Sequence, residues 1–259
     1  MPACLFAGIM KEWNVSLPPD YNEKIILGTW SEEKLDGLIA VAVKIRNIGE
    51  RIAFLSSQFL GVPYKESTLI GDVTTPEILV INIGAFDCFT FLDCIEAMRI
   101  SRSFVDFHEN LIRIRYKEGI VGYERRNHFF TDWSVYNVDF VQNKTKEIGG
   151  KKIKTIKNIL NRKDDGPYFL PGVRPFERMV SYIPSESVNK TMYVRLRTGD
   201  YIGIYSNLSG LDVSHVGIVV KDGSGMYFRH ASSAARKIVD QDFSEYIFGK
   251  PGIIILRPY

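Results

Sequence analysis

From Gly199 to the C-terminus the chain is written in short runs of β-branched and aromatic residues, and this stretch limits the fold more than any other. Gly199-Asp-Tyr-Ile-Gly-Ile-Tyr205, Val213-Ser-His-Val-Gly-Ile-Val-Val220, Gly225-Met-Tyr-Phe-Arg-His-Ala231, Arg236–Val239 and Ile253–Arg257 are separated by Gly, Asp, Asn and Ser. Runs this short, punctuated by turn formers, make an antiparallel meander. Upstream the pattern is helical. Ser31 followed by Glu32 and Glu33 starts a helix, and Leu35, Leu38, Ile39, Ala42, Val43 and Ile45 keep its spacing. Asn47-Ile-Gly49 breaks it, and a second short helix runs to Phe59. Pro76–Ile83 reads as a strand, and Phe104–Lys117 as a helix that ends at Gly119. Helices first and strands last, with no βαβ alternation, imply an α+β fold.

One helix carries a reactive element. Ala85-Phe-Asp-Cys-Phe-Thr-Phe-Leu-Asp-Cys-Ile-Glu-Ala-Met98 puts Cys88 in the first turn of what reads as an amphipathic helix, with Asp87 at the N-cap. Unpaired N–H groups and the positive end of the helix dipole favour thiolate there, and the same N–H groups point where an oxyanion would develop. Cys94, six residues on, faces elsewhere. There are four histidines. His108 falls mid-helix and reads as structural; His128 falls in the polar, aromatic segment Gly122–Trp133 and suits binding better than acid–base work. His215 and His230 occur on consecutive strands joined by Lys221-Asp-Gly-Ser-Gly225, so their side chains can share a face. One ring could then take the thiol proton while the other fixes its tautomer. Singly, a helix-start cysteine is usually a small buried apolar residue, and a strand histidine a satisfied core residue. The combination weighs more, because Val213, Val216 and Ile218 surround His215, where an unpaired imidazole would be costly.

Composition narrows the rest. The 259 residues, 45% hydrophobic and 24% charged, suffice for one large core, and a net charge of +3 argues against nucleic acid as a partner. The basic run Lys144–Lys157 is explained most simply by a solvated strand pair or loop, with an anionic ligand as the lesser reading. Cys4, Cys88 and Cys94 are odd in number and form no disulfide framework, nor does any CxxC or Cys/His spacing suggest a structural zinc site. No metal or other cofactor is expected. No apolar run reaches the roughly 20 residues of a membrane span. Met1–Met10 is apolar but short and lacks a basic start, a poor export signal as written.

The order Pro63-Tyr64, Asp87-Cys88, Gly199-Asp200, Ser214-His-Val-Gly-Ile218 and His230-Ala-Ser-Ser233 resembles the signature of NlpC-type cell-wall cysteine peptidases. That resemblance implies a papain-like α+β fold, with N-terminal helices, the nucleophile helix among them, packed on a C-terminal antiparallel sheet or barrel. It implies Cys88 as nucleophile, His215 as base and His230 as orienter, with Tyr64 beside the thiol helping to hold the oxyanion. A narrower likeness covers more of the chain: Leu60–Leu69, Phe86-Asp-Cys-Phe-Thr-Phe91, Tyr116-Lys-Glu-Gly119, Arg126–Trp133, Gly210–His215 and Leu256-Arg257 look like the N-acetylmuramoyl-L-alanine amidase-like branch. Asp93 departs from it, since a glutamate is expected after the Phe-Leu pair. The branch implies hydrolysis of the amide between N-acetylmuramic acid and L-alanine, with muropeptide or peptidoglycan fragments as partners, anhydro-muropeptides in particular. It also places the enzyme in the periplasm or another wall-facing compartment.

A sugar bearing carboxylates suits Arg126, His128 and Trp133 as charged donor, polar contact and stacking face. Their plainer reading is a surface loop held by an Arg–Asp132 pair. Ser214 and Ser232 flank the two histidines and could donate to substrate or satisfy strand ends. The expected organisation is a single monomeric catalytic domain over 1–259, with a helical part at 1–55, core segments at about 60–100 and 195–259, and substrate-site loops at 120–190. The competing readings are a D-glutamyl endopeptidase of the same superfamily, a zinc hydrolase using Cys88, His215 and His230 as ligands, and a wall-binding domain without catalysis.

Overall fold

The four longest helices begin at a residue whose side chain caps them. Ser31, Asn47, Asp87 and Ser103 accept from the backbones of Lys34, Glu50, Phe89 with Thr90, and Asp106, and so start α1 (Glu32–Val43), α2 (Ile48–Ser57), α3 (Cys88–Ile100) and α4 (Phe104–Arg115). The structure, a computed structural model, describes residues 22–259; Cys4 and the apolar stretch Met1–Met10 lie outside them. Shorter helices follow: α5 (Phe130–Tyr136), α6 (Thr145–Gly149), α7 (Lys190–Arg195) and α8 (Phe243–Ile247).

The strands are β1 (Glu23–Ile26), β2 (Leu79–Asn82), β3 (Val141–Asn143), β4 (Lys154–Leu160), β5 (Phe176–Tyr182), β6 (Tyr201–Tyr205), β7 (Val213–Asp222), β8 (Gly225–Ser232), β9 (Lys237–Asp242) and β10 (Ile253–Pro258). Six form one sheet in the order β3-β10-β6-β7-β8-β9, antiparallel throughout. The meander expected from Gly199 onward is its centre. Alternation along these strands feeds two cores. Tyr201, Val216, Ile218, Ile254 and Leu256 pack with α1–α4, whereas Ile202, Ile204, Val219, Ile253 and Ile255 pack on the other face with Met192 of α7 and Phe243 and Ile247 of α8.

The structure is α+β, as the element order implies, with α3 laid against the sheet. Three readings change. The helix carrying Cys88 is not amphipathic: every residue from Thr90 to Arg99 is buried, because the sheet, α4 and α5 enclose it. Its buried charges are all paired, Glu96 with Arg99 and the Tyr201 hydroxyl (2.7 Å), and Asp93 with Arg115 (3.0 Å) and the Trp133 indole N–H (2.9 Å). The N-terminal part is not purely helical, since Glu23–Ile26 pairs in parallel with β2. Between 120 and 190 the expected loops include a two-stranded antiparallel ribbon, β4 with β5, on which Lys157 pairs with Glu177 at 2.6 Å. The solvated strand-pair reading of the basic run therefore fits its second half, Lys154–Lys157; its first half forms α6.

Gly199, at φ +87°, shows why the Gly-Asp pair opens β6: a Cβ there would lie 2.6 Å from the Cα of Gly49. Asp200 is buried behind it and takes both arms of the Arg257 guanidinium at 2.7 Å. That pair ties the start of β6 to the end of β10.

Candidate active site

Asp87 does more than start α3. Its Oδ1 accepts from Phe89 N (2.9 Å), Thr90 N (2.8 Å) and Thr90 Oγ1 (2.9 Å), while its own N–H donates to Thr90 Oγ1 (3.1 Å), a complete capping box. The cap consumes N–H groups that the sequence offers to an oxyanion. Among the described residues, the Cys88 N–H alone of this first turn has no acceptor beyond its own sulfur.

The half-buried Cys88 thiol lies against the start of β7, where the Val216 N–H points at its sulfur. Two irregularities make that possible. The register of β6 against β7 shifts between Ile204, opposite His215, and Tyr205, opposite Val213, which throws the intervening Ser214 outward. The β7–β8 ladder begins only at Ile218–Arg229, so the two strands part on the thiol side. Gly217 is needed at this parting. A Cβ on it would lie 2.6 Å from the Phe228 ring, which stacks on His230 with centroids 4.9 Å apart.

His215 and His230 meet as expected. His215 Nε2 is 2.7 Å from His230 Nδ1 with the rings at 89°, and His230 Nε2 is 2.7 Å from Gln241 Oε1. Tyr246 of α8 closes the far side, its ring centroid 4.8 Å from that of His230 and 6.1 Å from that of His215. Tyr64 flanks the opposite side: its strand bridge to Phe86 holds it beside the thiol, and the Arg236 guanidinium lies 5.2 Å over its ring.

The electrostatics run against the simplest reading of a helix-start cysteine. Burial, aided by the Asp87 carboxylate, pushes the Cys88 thiol up to about 12, although the N–H groups of Val216, Cys88 and Phe89 pull it down. Burial, with His230 and Lys250 adding to it, lowers His215 to about 3. Burial and then the Cys88 charge raise Tyr246 to about 12. These shifts favour the neutral thiol and neutral imidazoles over thiolate and imidazolium.

Gln241 and Tyr246 were not singled out from the sequence. Gln241 had a usable signal, since it stands on the strand after His230. Tyr246 had none, because α8 is a single short turn of helix between strands.

The other expected contacts resolve differently. Arg126 does not pair with Asp132 and is not open to a ligand. Its guanidinium forks onto Glu77 (2.8 and 2.6 Å) and reaches the Ile70 carbonyl (2.8 Å). Asp132 is held by Arg178 and by Lys117 (2.9 Å). Trp133 is fully buried, stacked on Phe130 and bonded to Asp93, so it has no face for a sugar. His128 bonds the Tyr123 carbonyl at 2.7 Å, and burial lowers it to about 4. Ser232 is buried and caps the hairpin turn by accepting from Ala235 N (3.1 Å); Ser214 is exposed and makes a 3.4 Å bond to the Ile204 carbonyl. His108 bonds Glu23 at 2.6 Å, tying α4 to β1, in keeping with a structural role. A cavity of about 930 Å³ opens at the far end of the sheet, beside Gly49, Gly199 and Arg257; it contains none of the thiol–histidine residues.

A family model described as AmiA-like, N-acetylmuramoyl-L-alanine amidase-like, matches residues 54–253. A crystal structure of an N-acetylmuramoyl-L-alanine amidase from Bacteroides uniformis is 26% identical, with a TM-score of 0.66, covering 82% of this chain and 99% of that one. A Legionella pneumophila protein at 21% identity has the same fold, with a TM-score of 0.74 over 88% of this chain and 94% of its own. No curated protein matches the chain in sequence.

Proposed function

The chain belongs to the N-acetylmuramoyl-L-alanine amidase-like family, and from that premise we propose that it is a cysteine amidase that cuts N-acetylmuramic acid from L-alanine in muropeptides. The family match supports an amidase-like hydrolase acting on cell-wall material. The observation that carries the cysteine mechanism is the hydrogen-bonded His215–His230 pair beside the capped Cys88.

In this reading the Cys88 sulfur attacks the lactyl carbonyl while His215 takes its proton, a transfer coupled to attack because both groups are neutral at rest. The oxyanion falls to the Cys88 N–H and to the Tyr64 hydroxyl, which hydrogen-bonds to no protein group among the described residues. His215 then protonates the departing L-alanine amine, which its low proton affinity favours. Water cleaves the thioester with His215 again as base. Anhydro-muropeptides are the proposed substrates, and a periplasmic or other wall-facing compartment the proposed location.

The zinc alternative lacks support in the donor geometry. The His215–His230 bond at 2.7 Å uses the lone pair of one of its two nitrogens, and among the described residues no three His, Cys, Asp or Glu side chains are grouped so that they could hold a metal ion. The D-glutamyl endopeptidase alternative is decided by products. Purified muropeptides digested with the enzyme are expected to yield intact stem peptide and free sugar by mass. A peptide cut after D-glutamate would overturn the amidase assignment and leave the thiol mechanism standing.

A further inference from the structure

The hydrogen-bond chain that begins at His215 does not stop at His230. His230 Nε2 lies 2.7 Å from the amide oxygen of Gln241, which stands one strand further out on β9. An amide oxygen has no proton to give, so His230 must carry its own on Nε2. In a neutral ring that leaves His230 Nδ1 bare and accepting. The nitrogen 2.7 Å away, His215 Nε2, is then the donor, and His215 Nδ1 is left with its lone pair. Among the described residues that Nδ1 has no hydrogen-bond partner. In the proposed mechanism it is the atom that receives the thiol proton. Were Gln241 to present its NH₂ instead, every proton in the chain would move by one position, and His215 Nδ1 would carry an N–H in place of its lone pair.

We propose that Gln241 is a positioning residue that sets the tautomer of the catalytic base, acting through His230. The proposal rests on the reading of Cys88 and His215 as nucleophile and base. A glutamine suits this place because the relay would otherwise gain a charge. Asp240, whose charge raises the proton affinity of His230, is already forked onto Arg229 (2.8 and 2.7 Å). The groups facing the relay from other elements are Tyr246 from α8, which the charge of Cys88 on α3 also reaches, and Lys250, whose ammonium lies 5.5 Å over the Tyr246 ring. The relay therefore ends on a neutral acceptor, which fixes proton positions without raising the proton affinity of His215.

The test compares wild type, Gln241→Leu and Gln241→Glu in the full chain, with two readouts that need no amide substrate. Side-chain ¹⁵N spectra report which nitrogen of His215 is protonated, and iodoacetamide alkylation, read at Cys88 by peptide mass, reports thiol activation against pH. Wild type is expected to carry the His215 proton on Nε2. Loss of the direct triad partner in a serine protease costs about 10⁴, and partners one link further out typically cost 10–100-fold; Gln241→Leu should therefore mix the tautomers and lower both kcat and the alkylation rate roughly 10–100-fold, with KM held within about 2-fold. Gln241→Glu keeps the acceptor, so it should recover most of that loss. Its added charge should move the acid limb of the alkylation profile to higher pH. An unchanged tautomer and alkylation rate in Gln241→Leu would overturn the proposal, as would a raised KM with kcat intact, which would make Gln241 a substrate contact. If the tautomer and alkylation respond as expected while no muropeptide is cleaved, the assigned bond is wrong and the positioning role stands.

Discussion

Two polar clusters in this protein have similar ingredients and opposite bookkeeping. One gathers Glu77, Tyr116, Tyr123, Arg126 and His128; the other gathers Cys88, His215, His230, Gln241, Tyr64 and Tyr246. In the first, the interactions close on one another. Arg126 and the Tyr116 hydroxyl converge on Glu77 at 2.6–2.8 Å, and His128 bonds the Tyr123 carbonyl. In the second the chain is open at the reacting end. Among the described residues, the hydroxyls of Tyr64 and Tyr246 hydrogen-bond to no protein group, and the Cys88 N–H has no acceptor beyond its own sulfur. A cluster that saturates itself holds the fold, whereas one that leaves donors and a thiol unpaired is the one the proposed mechanism has a substrate complete.

The sharpest way to break that contrast is kinetic. Cys88→Ala and His215→Ala are each expected to cost roughly 10⁴–10⁶ in kcat, as loss of a nucleophile or base does elsewhere, with circular dichroism and melting close to wild type. Arg126→Met, in the cluster that resembled a substrate site, should leave kcat and KM per folded molecule within about 3-fold. A tenfold rise in KM in Arg126→Met would return that side chain to the substrate.

The same substitution should register instead in denaturant unfolding. Arg126→Met strands Glu77, only 5% exposed, without its counter-charge, and breaking a buried pair this way costs about 3–5 kcal/mol. Trp133→Ala removes a fully buried indole and orphans an oxygen of Asp93, for about 3–5 kcal/mol. Neither loss should carry over to substrate affinity.

How far the sequence could be read follows from the same distinction. Caps and strand periodicity are local, and Ser31, Asn47, Asp87 and the runs after Gly199 behaved as their neighbours dictate. The meeting of His215 and His230 was legible because a short turn forces their strands together. Whether Arg126 or Trp133 faces solvent or protein was not, because that depends on Glu77 and Asp93, which lie 49 and 40 residues away along the chain. The spent N–H groups at α3 are an intermediate case. Asp87 announces the cap, but only the geometry shows it taking both Phe89 and Thr90. Burial of the thiol, which works against the expected ionisation, is likewise a property of the surrounding fold rather than of the helix start.

Acid titration sharpens the comparison from another side. His128 is held near 4 and His215 near 3, both below the ordinary 6.5. Above pH 6.5 each is neutral folded and unfolded, so its contribution is intact. As pH falls the unfolded chain takes protons that the folded one refuses, and stability is lost until the folded values are reached. Since His128 is partly exposed, its share is roughly 1–2 kcal/mol between pH 6.5 and 4. His128→Gln should abolish that acid-induced loss, flattening the stability curve between pH 6.5 and 4, while leaving the pH profile of thiol alkylation unchanged. His215→Gln should flatten the stability curve too, but at the cost of the thiol's base. If His128→Gln moved the alkylation profile, the two clusters would be electrostatically one.

The smallest expected effects separate the two serines beside the histidines. Ser232 is buried and its oxygen caps the turn between β8 and β9, so Ser232→Ala should cost about 1 kcal/mol by leaving the Ala235 N–H unpaired. Ser214 is exposed, at the bulge that parts β7 from its neighbour, and among the described residues its hydroxyl makes one bond, a 3.4 Å contact to the Ile204 carbonyl. Ser214→Ala should therefore change stability by less than about 0.5 kcal/mol. Its place beside His215 gives it one way to matter, as a donor to bound substrate. In that case Ser214→Ala would raise KM with kcat and unfolding unchanged, while Ser232→Ala would shift unfolding and neither kinetic constant. Should both serines affect unfolding alone, the substrate's polar contacts come from the open cluster, Tyr64 and Tyr246, and not from the strand ends.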